Sequence, residues 1–223
     1  MRRPNKGKRT HDVEELVDLK EHWEAVYRST RPTDVSWFQA EAALSVRLIQ
    51  QHLPVKSTPI IDVGGGASVL TAQLHTAGFT NLTVLDLSSA AITASRTRLG
   101  EAGHRIRWIE GDILRTELPA DGFGFWHDRA VFHFLTDAPD RARYVDQARR
   151  TVRAGGYVLV ATFAEDGPTR CSGLEVARYS PSALHAEFGA GFTFLSAERE
   201  EHRTPAGTFQ AFTYCLCQRS GPP

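Results

Sequence analysis

The sequence predicts an open α/β sheet, mostly parallel, with helices on both faces. Three observations predict it. Short apolar runs alternate with stretches of helical period through the middle of the chain. One run, YVLVATF at 157–163, is apolar throughout, as a central strand covered on both faces must be. Near the end stand two strand-like runs with no room between them for a crossover helix, so they should pair antiparallel at one end of the sheet.

The elements follow in order. Residues 1–11 are polar and basic and contain Pro and Gly. They read as a disordered tail, with a nucleic-acid or membrane arm as the sharper alternative. Residues 12–54 form an N-terminal helical cap. Its first helix starts at Val13, with Leu16, Leu19, Trp23, Val26 and Tyr27 at spacings of three and four, and breaks at Pro32. A second helix over 39–52 stops before Pro54. Residues 55–219 form the sheet domain. Strands are expected at 59–63, 82–87, 106–110, 124–127 and 157–163. Helices fall between them at 69–77, at 88–99 with Ser88 or Ser89 as N-cap, and at 139–152, the last ended by Gly155-Gly156. A helix at 182–188 precedes the closing strands, 192–197 and 208–217.

Composition removes several classes. The 223 residues carry 26 Lys+Arg and 26 Asp+Glu, a net charge of zero that gives no general attraction to nucleic acid or anionic lipid. Cys171, Cys215 and Cys217 are too few and too late for a disulfide framework. No apolar run approaches a membrane span, and the basic N-terminus has no apolar region behind it. A reduced, cytoplasmic protein is expected, monomeric by default.

In such a sheet, ligands sit at the carboxyl ends of the strands, near the point where strand order switches. The first strand runs into Asp62-Val-Gly64-Gly65-Gly66-Ala-Ser. Glycines there let the backbone turn sharply and approach a ligand. The third Gly of a dinucleotide fingerprint is missing, Val69 standing in its place. Asp62 suits a ligand carrying an amine better than a pyrophosphate. Asp86, 24 positions on at the second strand's end, is placed to hold two ribose hydroxyls. Asp112 and Ile113 follow the third strand and suit a purine's amino group and ring. Any one of these acids alone reads first as a solvated loop residue or a helix cap. Three at successive strand ends point to an adenosine-containing ligand.

The motifs D-V-G-G-G-A-S, L-D-L-S, G-D-I and R-A-G-G-Y, in this order, resemble those of class I S-adenosylmethionine-dependent methyltransferases, over nearly the whole chain from about Trp23 to Cys217. The resemblance implies a Rossmann-like seven-stranded sheet whose last strand is antiparallel. It implies that Gly64, Gly65 and Gly66 lie against the methionine part of S-adenosyl-L-methionine, with Asp62 near its ammonium. Asp86 and Leu87 would then serve the ribose, and Asp112 and Ile113 the adenine. The front segment, H-W-E-A-V-Y…T-D-V-S-W-F, is similar to the entry of a subgroup that includes lysine methyltransferases of elongation factors and citrate synthase, and distantly to thiopurine S-methyltransferases. There Trp37 and Phe38 would cover the cofactor, or simply staple the front helices to the sheet.

The fourth strand ends Trp126-His127-Asp128-Arg129-Ala130-Val131-Phe132-His133, the acceptor side in this fold. Lysine methyltransferases of the subgroup tend to carry Asp-Lys-Gly here. Asp128 matches, and Arg129-Ala130 departs. His127, Asp128 and His133 are the candidates for a general base, needed only if the acceptor arrives protonated; each His also reads as a hydrogen-bonded residue near a helix start. Cys171 follows the fifth strand, where loops line acceptor pockets. Cys215 and Cys217 share a strand face. The thiols suit a soft-metal acceptor or a regulatory role, or are small buried apolar groups. No structural metal is expected. The expected activity is methyl transfer to a protein lysine or to a small thiol or amine, with nucleic acid ranked third. The alternatives are a nicotinamide-dependent oxidoreductase and a non-catalytic cofactor-binding module.

Overall fold

The computed structural model describes residues 8–221, with side chains from residue 19. The helices are α1 (Lys8–Ser29), α2 (Ala43–His52), α3 (Leu70–Thr76), α4 (Ser89–Leu99), α5 (Ala138–Thr151) and α6 (Pro181–Phe188). The strands are β1 (Ile60–Val63), β2 (Leu82–Asp86), β3 (Arg107–Glu110), β4 (Phe123–Arg129), β5 (Val152–Phe163), β6 (Arg170–Cys171), β7 (Leu174–Glu175), β8 (Phe192–Arg203) and β9 (Phe209–Arg219). Seven of them form one sheet in the order β3-β2-β1-β4-β5-β9-β8, and β6 and β7 form a separate small hairpin. β1 to β5 are parallel, and β9 runs antiparallel to both β5 and β8. This is the Rossmann-like seven-stranded sheet expected, with its last strand reversed.

Side chains alternate across each strand, so adjacent residues feed opposite cores. Phe125 packs with Ile49, Leu70, Leu74 and Phe212 on the α2–α3 face. Its neighbour Trp126 packs with Tyr144, Ala148, Leu184 and Phe188 on the α5–α6 face. Both faces of β5 are covered along 158–163, which is why that segment reads as a continuous apolar run.

Several boundaries differ from the sequence-based expectation. α1 already includes Lys8, so part of the expected tail is helical; residues 1–7 lie outside the described residues. α2 starts at Ala43, not at 39. Gln39 instead bonds Glu200 (2.8 Å), and the Ala42 N–H donates to the Gln73 side chain (3.0 Å). Gly155-Gly156 does not end α5. The helix stops at Thr151, and Val152 enters β5 opposite Phe123. The glycines lie inside β5, where a Cβ on Gly156 would meet Val152 Cγ1 at 2.8 Å and the Gly124 carbonyl at 3.0 Å. Ser88 caps α4 as expected, accepting from the Ala91 N–H (3.2 Å). β8 runs beyond the predicted end because it pairs with β9 out to Arg203 and Phe209, while β9 starts one residue later than predicted and continues to Arg219, opposite Phe192.

The chain leaves β4 through a left-handed residue, Ala130 (φ 72°), whose N–H donates to the Ala161 carbonyl (2.9 Å). An L-residue is disfavoured there by about 1–2 kcal/mol, partly offset by glycine's larger unfolded-state entropy. Ala130→Gly should therefore raise stability by roughly 0.5 kcal/mol, seen as a small rise in Tm. A fall in Tm would show that the methyl group contributes packing that outweighs the strain.

Candidate active site

The carboxyl ends of β1 to β4 share one edge of the sheet, and strand order reverses between β1 and β4, where a crevice must form. Of the acids placed there, Asp62 and Asp86 are buried and Asp112 is partly buried, and each is satisfied differently. Asp86 accepts from the Gly66 N–H at Oδ2 (2.9 Å) and from the Ser88 N–H at Oδ1 (2.8 Å). Burial pushes its carboxyl up to about 6; those two N–H groups pull it down, and the charges of Asp62 and Glu24 push it further up. Asp62 pairs through Oδ1 with His127 Nδ1 (2.7 Å), and Thr71 Oγ1 lies 3.4 Å from its Oδ2. His127 is the register neighbour of Asp62 on β4, and its Nε2 meets Ser45 Oγ at 2.9 Å. Asp112 closes the turn after β3, accepting from the Leu114 N–H (2.9 Å).

The glycine turn is dictated first by these neighbours. Gly64 is left-handed (φ 69°), and a Cβ on it would overlap Val131. A Cβ on Gly65 would overlap the Asp62 carboxylate. Only glycine lets this loop pass between the carboxylate and the facing loop.

Two cavities meet at this loop. The larger encloses about 880 Å³ including its solvent-open part. It is lined by Gly64, Leu87, Asp86, Asp112 and Ile113 from the strand ends, and by Trp23, Tyr27, Trp37, Phe134 and Cys171. The second, about 570 Å³, is lined by Ser45, Asp62, Gly65, His127 and Phe38. Trp37, Tyr27 and Arg129 border both. Trp23 stands edge-to-face on Trp37 (5.7 Å) and Phe134 (5.2 Å). α1 carries Trp23 over the cleft and is tied down on either side. Glu24 accepts from the Ser89 and Ala90 N–H groups (2.5 and 3.3 Å), and Lys20 pairs with Glu110 (2.5 Å). Arg129 donates to Glu200 (2.9 Å), Tyr214 (2.8 Å) and the Trp37 carbonyl (3.2 Å), and lies over Phe212.

A methyltransferase-domain family matches residues 60–156, β1 through the first half of β5. Human EEF1A lysine methyltransferase 2 is 28% identical over 93% of this chain and 87% of its own length. The mouse protein of that name is also 28% identical, over 67% of each chain. These likenesses support a class I S-adenosylmethionine-dependent methyltransferase. Among solved structures, Burkholderia thailandensis 1,6-didemethyltoxoflavin-N1-methyltransferase, crystallised with S-adenosylhomocysteine, covers 99% of this chain with a TM-score of 0.72 at 18% identity. The enzyme uses S-adenosyl-L-methionine, and the cleft's chemistry fits it. Each Asp86 oxygen accepts one N–H and keeps a lone pair for a hydroxyl, and apolar side chains flank the slot beside it.

The predicted site residues thus divide. Gly64, Asp86, Leu87, Asp112, Ile113 and Trp37 come together at the larger cavity, and Asp62, Gly65 and His127 at the second. Gly66 borders neither and serves Asp86. Asp128 and His133 also border neither. The Asp128 carboxylate accepts from the Val131 N–H (2.9 Å), the Phe132 N–H (3.0 Å) and the Tyr144 hydroxyl (2.5 Å), and burial pushes it up to about 6. His133 is fully buried, and burial pushes it down to about 3. Missing from the sequence reading were Glu24 and the Arg129–Glu200 pair; these contacts span 65 and 71 positions, and no local pattern carries them. Among the described residues no helix is long and apolar enough to cross a membrane, and no His/Cys/Asp/Glu group could hold a metal.

Two outcomes follow. Asp128→Asn should cost about 1–3 kcal/mol of stability by misdirecting an acceptor turned to three donors, with S-adenosylhomocysteine affinity unchanged; a variant that melts with the parent yet loses turnover returns Asp128 to the acceptor site. Protonated Asp86 would have fewer acceptors for hydroxyls, so binding favours its ionised form. Affinity by calorimetry should be level above about pH 6 and fall as pH drops through 6. Asp86→Asn should remove that slope, and a slope retained in the variant assigns it to another group.

Proposed function

We propose that this methyltransferase acts on the side-chain amine of a protein lysine. One observation carries the reading: four aromatic rings, Trp23, Tyr27, Trp37 and Phe134, line the same cavity as Asp86. Such faces suit an alkylammonium product, since aromatic rings attract cations. Two further facts support it. The relatives matched over most of the chain are named lysine methyltransferases. Ala130 also takes the left-handed conformation that glycine adopts readily, at the place where the lysine enzymes of the subgroup carry Asp-Lys-Gly.

Bound S-adenosylmethionine supplies an activated methyl group on sulfur, open to in-line displacement. The chain's own residues bind, orient and exclude water. In this reading Asp86 and Leu87 hold the ribose, and Asp112 and Ile113 the adenine. Asp62 and the Gly64-Gly65-Gly66 turn hold the amino-acid end, and Trp37 covers it. A protonated amine is disfavoured beside the sulfonium charge of the bound cofactor, so the acceptor would react as a neutral nucleophile. His127 has both ring nitrogens engaged, with Asp62 and Ser45, which argues against its serving as the base. We take residues 12–54 as a cap on a methyltransferase domain at 55–219, acting as a monomer in the cytoplasm, where its three free thiols stay reduced.

A second reading, a small amine or thiol, is favoured by α1, whose ties through Lys20 and Glu24 narrow the approach to the cleft. Incubation of enzyme with tritiated S-adenosylmethionine and the source cell's lysate separates the two. The expected result is label in protein, released on acid hydrolysis as methyl-lysine and lost with Asp86→Ala. Label confined to the small-molecule fraction overturns the lysine reading in favour of the second.

A further inference from the structure

The Ser45–His127–Asp62 chain is buried at every member. Asp62 and His127 are each 3% exposed and Ser45 is 1% exposed, yet all three border the second cavity. An ionised carboxylate only accepts, so His127 Nδ1 carries a proton and donates it to Asp62 Oδ1 (2.7 Å). His127 Nε2 is engaged at 2.9 Å by Ser45 Oγ, which also reaches Tyr214. The imidazole is therefore clamped at both ends, one on the sheet and one on α2. It fixes the rotamer of Asp62, whose carboxylate sits under the Gly65 backbone. The other oxygen, Oδ2, has among the described residues only the 3.4 Å contact with Thr71.

We propose that His127 and Ser45 are positioning residues for the amino-acid end of the cofactor. They hold Asp62 so that Oδ2 is presented to an ammonium group in the second cavity. This rests on the assignment of that cavity to the cofactor's amino-acid end. His127 then neither touches the reacting atoms nor moves a proton. It sets how strongly the enzyme distinguishes S-adenosylhomocysteine from a nucleoside lacking the aminoacyl group. A loose Asp62 would turn toward the Thr71 hydroxyl and the loop N–H groups, and its attraction for the ammonium would fall.

The test is calorimetric titration of two ligands, S-adenosylhomocysteine and 5′-methylthioadenosine, which share the nucleoside and differ in the aminoacyl group. His127→Leu keeps the volume and removes both hydrogen bonds. It should weaken S-adenosylhomocysteine by roughly tenfold or more, as expected for a hydrogen bond to a charged group, and leave 5′-methylthioadenosine within about twofold. His127→Asn can still donate to Asp62 and should restore most of the loss. Ser45→Ala should give a smaller loss in the same direction, confined to S-adenosylhomocysteine. Equal loss of both ligands in His127→Leu, or loss of neither, overturns the proposal, as does failure of His127→Asn to restore binding while its Tm matches the parent. If the parent binds 5′-methylthioadenosine as tightly as S-adenosylhomocysteine, the assigned amino-acid subsite falls instead. If Asp86→Ala leaves both ligands bound, the ribose assignment falls while the His127 result stands on its own.

Discussion

Three carboxylates buried on neighbouring strands are the constraint on which this site depends. Asp62, Asp86 and Asp128 are each less than a tenth exposed, and removing a carboxylate from water costs several kcal/mol unless partners replace the lost hydration. The structure meets that cost in three ways. Asp86 takes two backbone N–H groups, which obliges the glycine turn and the start of α4 to come to it. Asp62 takes a histidine from the next strand. Asp128 takes the N–H groups of its own turn and a tyrosine from α5. The loops that shape the cleft are thus held by the acids they surround.

These solutions leave different capacity for a ligand. Asp128 has a donor at one oxygen and two at the other, all from the protein, and faces the α5 core. Asp86 faces the cleft, with each oxygen still able to accept. That difference, and not the residue type, separates an acid whose acceptors are all used by its own turn and α5 from one with capacity left for a ligand. It also explains the limit of the sequence reading. Strand ends and glycine turns are local patterns, so β1, β2 and the positions of Asp62, Asp86 and Asp112 were legible. Whether an acid at a strand end points into the cleft or back into its own turn depends on the left-handed Ala130, which no local pattern announces. The clamp on His127 was equally hidden, since it needs the register of β1 against β4 and the docking of α2. Gly155-Gly156 misled for the opposite reason: a strong local signal for a helix end was spent on close packing inside β5.

The other wall of the cleft is held by the C-terminal hairpin. β8 places Glu200 and His202 against the front segment. Glu200 receives Arg129, Gln39 and Tyr214, and His202 Nε2 meets the Ser36 carbonyl at 2.8 Å. Arg129 completes the link by donating to the Trp37 carbonyl. A small residue makes the arrangement feasible. Ala161 of β5 lies in register between Arg129 and Tyr214, so the two long side chains can meet over it. A larger residue at 161 would separate them and leave a buried guanidinium underpaired, which costs far more than the lost contact itself.

The two walls differ in what would have to break for the cleft to open. On the sheet side, movement means removing a buried carboxylate from its N–H donors. The 36–39 segment is tied to β8 and β4 through a buried ion pair. Over the cleft, α1 is joined by Lys20–Glu110, whose side chains are nearly half exposed, and by Glu24 capping α4. Exposed pairs are worth little and are screened by salt, so for α1 with its Trp23 the main cost of displacement is removing Glu24, itself 7% exposed, from the Ser89 and Ala90 N–H groups. The sheet ends and the 36–39 segment would stay in place, so that in the proposed assignment the ribose and amino-acid ends of the cofactor remain held. Trp23 and Tyr27 would then be the movable part of the aromatic lining, and Trp37 and Phe134 the fixed part, so that admission of the acceptor need not release the cofactor.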